Sequence, residues 1–245
     1  MMKTLHHLLL SILFTALFLS VTANPLTVFF GTGGRGSEGI YQATFNPENG
    51  KFTPAKLAAK IGSPGFLALH PNGKTLYSIG RWEDGSGTLG YHINQNGELE
   101  EFTRMICPDG GSAHIAVHPS GNFLLTAQYG GGSVALFPLD RNGKLGEPTV
   151  IEHHGGSKVV DKRQDSPHPH WTGFSPDGNF ALIPDLGLDQ IVIYKVHSSK
   201  PVITRHGVGE SVPGGGPRHM RFSSDGRLIY LLNELSMSVT TFAWD

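Results

Sequence analysis

Short apolar runs alternate with turns rich in Gly, Pro, Asn and Asp along most of the chain, and within the runs apolar and polar positions trade places with a period of two. That is the period of strands with distinct faces, not of helices. The clearest unit lies at 215–235. Residues 218–222 run extended into Ser223-Ser224-Asp225-Gly226, and residues 228–232 return to Asn233 and Glu234, which predicts a β-hairpin. The hairpin recurs around His70-Pro71-Asn72-Gly73, His118-Pro119-Ser120-Gly121 and Ser175-Pro176-Asp177-Gly178. The turn glycines are separated by close to the roughly 40–50 residues of a four-stranded propeller blade. A longer interval between Gly121 and Gly178 marks an insertion.

A third strand follows each hairpin, at 90–93, 133–137, 190–196 and 238–244, and turns such as Gln95-Asn96-Gly97 and Arg141-Asn142-Gly143 lead to a fourth. At the front, 27–31, 39–45 and 52–59 read as second, third and fourth strands without a first. The window 54–60 is moderately compatible with helix and is assigned to strand or loop. The expected class is all-β: a β-propeller of four-stranded antiparallel blades. In closed propellers a missing first strand is commonly supplied by the C-terminus, which removes the sheet edges. Here the strands after Gly226 reach Asp245 without a closing strand. The expectation is about four to five blades, a ring that is not closed, and a shortened copy of a longer propeller.

Composition agrees, with 33 Gly and 16 Pro. Residues 1–23 carry one cation, Lys3, then an apolar run and the small-residue exit Val21-Thr22-Ala23, the pattern of a secretory signal peptide. The expected mature domain is 24–245, exported to the periplasm or secreted. Without Lys3 the formal charge moves from −1 to about −2. No basic run exists to attract nucleic acid or an anionic membrane, so neither is an expected partner. Cys107 stands alone, which excludes an intrachain disulfide and a cysteine-based zinc site.

The hairpin alignment also indicates which side chains gather at one end of the ring. Eight positions before the turn glycines lie Gly65, Ala113, His170 and Arg218, and next to them Phe66, His114, Trp171 and His219. Seven and eight positions after lie Gly80 and Arg81, Gln128 and Tyr129, Asp185 and Leu186, Asn233 and Glu234. A packed propeller needs no ionisable residues there, so this end is the candidate site. His170, Arg218 and Glu234 are the candidate catalytic group. His168, Gln128, Asp185, His219, Asn233 and His114 are candidate substrate-binding residues. Structural alternatives stand beside several of these: His114 and His219 can satisfy backbone groups of a neighbouring blade, and Asp185 and Asp189 can shape the loop they flank. His70 and His118, before the turn prolines, read as blade-packing residues. His153-His154 and His168-x-His170 are weak metal patterns, and the site is expected to be free of metal and cofactor. There is no Gly-x-Ser-x-Gly elbow, and the glycine-rich 31–34 and 130–133 lack a Walker ending.

Ser166-Pro167-His168-Pro169-His170, Ser175-Pro176-Asp177-Gly178, Asp185-Leu186-Gly187-Leu188-Asp189, Gly216-Pro217-Arg218-His219 and Asn233-Glu234-Leu235 occur in that order. Together with Phe30-Gly31-Thr32 and Gly39-Ile40-Tyr41 they resemble the lactonase family of seven-bladed propellers, which includes bacterial 6-phosphogluconolactonases and fungal carboxymuconate-lactonising enzymes. The resemblance spans the mature region but lacks the family's last two to three blades. It implies the matched His, Arg and Glu as the catalytic group and a small-molecule lactone as partner. These residue types suit addition of water to a lactone carbonyl, or the reverse closure. A carboxylate or imidazole takes the proton, and a guanidinium holds the developing oxyanion or an anionic substituent. Which of His170 and Glu234 is base and which acid stays open, as does the direction of reaction. A propeller that binds a sugar-derived ligand without turnover is the alternative of another class.

Overall fold

The computed structural model describes residues 24–245 except Pro108, His154 and Ser198. The expected leader, 1–23, lies outside the described residues. Among the described residues, nineteen strands form five antiparallel sheets. The first has β1 (Leu26–Gly31), β2 (Gly39–Asn46) and an outer position shared by β3 (Lys51–Phe52) and β4 (Lys56–Lys60), so the helix-compatible window is strand. The second is β5 (Leu67–Leu69), β6 (Thr75–Trp82), β7 (Gly85–Ile93) and β8 (Leu99–Ile106). The third is β9 (Ser112–Val117), β10 (Phe123–Gln128), β11 (Ser133–Pro138) and β12 (Thr149–Glu152). The fourth is β13 (Gly173–Phe174), β14 (Phe180–Asp185), β15 (Gln190–His197) and β16 (Val202–Glu210). The fifth is β17 (Pro217–Phe222), β18 (Leu228–Asn233) and β19 (Ser238–Ala243). Each is a meander of sequential strands, the blade architecture read from the repeat.

Strand alternation explains why the blades stack. A strand between two blades must be apolar on both faces, because successive side chains point opposite ways. In β10, Leu124 joins Tyr77 and Ile79 of the second sheet, while Phe123 and Leu125 join Ala181, Ile183 and Val192 of the fourth. All six residues of β10 are buried. Leu182 and Ile191 pack in turn on Met220, Ile229 and Leu231, and Ile40 packs on Leu89 and Tyr91. In β18 only alternate residues are buried, and Leu228, Tyr230 and Leu232 face solvent. Among the described residues no buried cluster joins the fifth sheet to the first, so the ring is open there.

The repeated turn has a physical cause. Gly73, Gly121, Gly178 and Gly226 all take φ between 68° and 74°, the left-handed region that a side chain disfavours. Each donates its N–H back to residue i−3, at 2.8–2.9 Å. The histidines before the turn prolines tie one blade to the next: His70 Nε2 lies 3.1 Å from Gly121 O, and His118 Nε2 lies 2.9 Å from Gly178 O. His118 is buried and stacks on Phe123 at 4.5 Å. His118→Ala therefore removes an inter-blade hydrogen bond and a packed ring. The expected loss is about 2–3 kcal/mol, read as a lower urea midpoint. An unchanged midpoint would show that the turn-to-turn link contributes nothing.

Candidate active site

The first strand of each hairpin starts, and the second ends, at the same end of the molecule. Arg218 is the second residue of β17, Glu234 follows β18, and His168 and His170 precede β13. Tyr129 follows β10. The structure brings His170, Arg218 and Glu234 together. Arg218 Nε donates to Glu234 Oε2 at 2.8 Å, and His170 Nε2 lies 3.8 Å from the same oxygen, beyond direct hydrogen bonding. Arg163 was not legible as a site residue. Its Nη2 donates to Glu234 Oε1 at 2.6 Å. Glu234 is thus held between two guanidiniums with one oxygen turned to an imidazole.

His170 is also walled by rings. Tyr129 meets it edge-on at 5.1 Å and His219 at 5.5 Å. His219 continues inward to His114 at 5.8 Å and Phe66 at 5.4 Å. His168 stacks on Tyr129 at 4.6 Å, and its Nδ1 lies 2.9 Å from Tyr129 O. A cavity of about 650 Å³ lies further along the axis, lined by Phe66, His114, Trp171, Phe174 and Arg221 among others. It shares Phe66 and His114 with this group and contains no carboxylate, whereas the Glu234 cluster combines a carboxylate with two guanidiniums and an imidazole.

Three expected substrate contacts are not at the opening. Gln128 is fully buried, with its amide spent on Ser112 Oγ (2.8 Å) and Thr126 Oγ1 (2.5 Å). Asn233 is equally buried, accepting from Ser211 Oγ and donating to Ser238 and Thr240. Asp185 accepts the backbone N–H groups of His168, Gly187 and Leu188, and His153 Nδ1 lies 2.7 Å from its other oxygen. Each closes a second strand and spends its polar atoms on hydrogen bonds inside the protein, Asp185 on loop N–H groups that would otherwise be buried without partners. Asp185 therefore positions His168 instead of meeting a ligand. His153 is committed to Asp185, and His154 lies outside the described residues. Among the described residues no group of three or more His, Cys, Asp or Glu side chains is placed to hold a metal.

Electrostatics follow from this placement. Burial alone would raise the Glu234 carboxyl, but the ion pairs with Arg163 and Arg218 outweigh it and hold the group below its ordinary range. Burial, reinforced by Arg218 and Arg163, lowers His170 despite the opposing pull of Glu234. Burial and neighbouring cations push His219 down to about 4 and His114 to about 3. At neutral pH two guanidiniums and one carboxylate therefore face the neutral imidazoles of His170, His219 and His114.

A depressed imidazole also has a stability signature. Below the ordinary histidine range the unfolded chain takes up a proton that folded His114 refuses, so its contribution is present above about pH 6.5 and is lost as pH falls toward 3. His114 alone is expected to cost about 2 kcal/mol of unfolding free energy between pH 7 and pH 5. Urea titrations at the two pH values should show His114→Phe flattening that slope. An identical slope in the variant would contradict the neutral, buried imidazole.

Comparisons with known proteins identify the family of the fold. The family described as "Lactonase, 7-bladed beta-propeller" matches residues 27–245. The 6-phosphogluconolactonase of Bacillus subtilis is 35% identical over 211 residues, covering 86% of this chain and 60% of the relative. A Bacteroides fragilis structure provisionally named a 6-phosphogluconolactonase superposes with TM-score 0.85 at 29% identity, covering 92% of this chain and 66% of that one. The periplasmic gluconolactonase of Pseudomonas aeruginosa superposes with TM-score 0.81 at 30% identity, covering 90% and 64%. The chain spans about three-fifths of the length of the curated relatives it matches. The repeat, the blades and the match from Thr27 to Asp245 together place this chain in the lactonase family of seven-bladed β-propellers.

Proposed function

We propose that the protein hydrolyses a sugar lactone at the Glu234 cluster. The supporting observation is Glu234 Oε2 bonded to Arg218 and 3.8 Å from His170 Nε2, at the end where β17 begins and β18 ends. The 3.8 Å separation leaves room for a water placed to hydrogen-bond with both groups. Both carboxylate oxygens of Glu234 already accept from guanidiniums, which weakens it as a proton acceptor. Neutral His170 is then the general base. It takes the proton as water adds to the lactone carbonyl, and Glu234 stabilises the imidazolium. Arg218 is 41% exposed and keeps donors beyond Nε to hold the oxyanion. Collapse of the tetrahedral intermediate breaks the ring C–O bond, and the His170 imidazolium returns the proton to the departing alkoxide, which becomes the hydroxyl of the product acid.

The same reading takes residues 1–23 as a leader and the protein as exported. An exported enzyme would meet an unphosphorylated aldonolactone, and the name of the Pseudomonas relative, a periplasmic gluconolactonase, supports that class. The test is acid release from glucono-δ-lactone and from its 6-phosphate. Turnover of the unphosphorylated lactone is expected, and turnover confined to the phosphate ester would overturn that assignment. Ligand binding without acid release would favour a non-catalytic propeller.

Glu234→Gln keeps the shape and removes the charge. It is expected to lower turnover by roughly two or more orders of magnitude with folding unchanged, because exposed ion pairs contribute about 0–1 kcal/mol. Lowered thermal stability with activity per folded molecule nearly intact would assign Glu234 a structural role.

A further inference from the structure

The longer interval between Gly121 and Gly178 contains the segment joining β12 to β13, and it carries Arg163. Arg163 is 42% exposed, yet its backbone is not free. Arg163 N and Gln164 N both donate to Val160 O, Lys158 N donates to Gln164 O, and Ser157 N donates to Gly187 O. Gln164 is fully buried and its side-chain amide is hydrogen-bonded on three sides. Its Oε1 accepts Val160 N at 3.0 Å, and its Nε2 donates to Leu186 O at 2.9 Å and to Asp189 Oδ1 at 2.6 Å.

Asp189 is the second half of the support. It is buried and sits at φ 56°, in the left-handed region that aspartate tolerates better than most side chains. Besides Gln164, it accepts Gly216 N at 2.9 Å and Gly214 N at 2.7 Å. Gly216 O in turn accepts Glu234 N at 2.8 Å. One buried carboxylate therefore anchors both sides of the Arg163–Glu234 pair, reaching Arg163 through Gln164 and Glu234 through Gly216.

We propose that Asp189 and Gln164 act as a positioning unit that sets Arg163 on Glu234 Oε1, making the inserted segment a working part of the site. This rests on the assignment of the Glu234 cluster as the reactive centre. The reason lies in guanidinium geometry. An arginine facing a lone carboxylate tends to close on it as a fork, with two parallel N–H bonds. If Arg218 did so, its outer N–H groups would be consumed and Glu234 Oε2 would be drawn from His170. With Arg163 on Oε1, Arg218 stays on Oε2 through Nε alone, and its remaining donors are left for the substrate oxygen. Arg163 is thus a positioning residue that keeps another arginine available.

The test is a carboxyl NMR titration of Glu234 in the full chain, alongside lactone kinetics. Arg163→Gln should move the Glu234 midpoint upward, and Arg163→Lys should restore part of the difference. Gln164→Ala touches Glu234 nowhere, and it should move the midpoint in the same direction by a smaller amount. In kinetics, Arg163→Gln should lower kcat roughly ten-fold with little change in KM, the signature of an interaction needed in the transition state. An unmoved midpoint in Arg163→Gln, which is exposed enough to fold regardless, would overturn the proposal. So would a Gln164→Ala midpoint identical to the wild type. The titration needs no turnover, so a failure of lactone hydrolysis and a failure of the positioning unit are read separately.

Discussion

Sheets that are apolar on both faces can be buried only between other sheets, and this constraint shapes the molecule. Phe123, Leu124 and Leu125 show it at single-residue scale, because neighbours in sequence enter the cores of different blades. Stacking four-stranded meanders in this way places the starts of the first strands and the ends of the second strands at one end. The meeting of Arg218, Glu234 and His170 is therefore a consequence of blade packing. The histidine bonds from His70 and His118 to the glycine carbonyls of the following turns fix the spacing at the other end.

On that frame the site is built in two layers. The outer layer is partly exposed and holds the ionisable groups: two guanidiniums, a carboxylate and an imidazole. The inner layer is buried and fully hydrogen-bonded. Asp185 holds the His168 segment, while Asp189 and Gln164 hold the segments bearing Arg163 and Glu234. The division follows from cost. A buried carboxylate is tolerated when it accepts several N–H groups, and such a group is rigid for the same reason.

Much of this was legible in the sequence, for reasons of parity and spacing. The blade repeat was readable because the turn requires glycine at positive φ. His170, Arg218 and Glu234 were readable because their offsets from that glycine put them at one end. The same offsets also selected Gln128 and Asn233, which are buried. Strand alternation separates them: the residue seven after the glycine points into the blade, and the next one, Tyr129 or Glu234, reaches the opening. Arg163 and Gln164 were not legible, since they lie in an irregular segment whose path depends on long-range bonds to Asp189. The length of the insertion was the only sign of them.

The central claim is that His170, oriented beside Glu234, activates water for attack on a lactone carbonyl. The most direct measurement is the initial rate of acid release from glucono-δ-lactone, above the spontaneous rate, for the wild type and for His170→Asn. The arrangement predicts a clear enzymatic rate that falls by roughly two to four orders of magnitude in the variant, with the unfolding transition preserved. An equal rate in both proteins, or no rate above background in either, would contradict it.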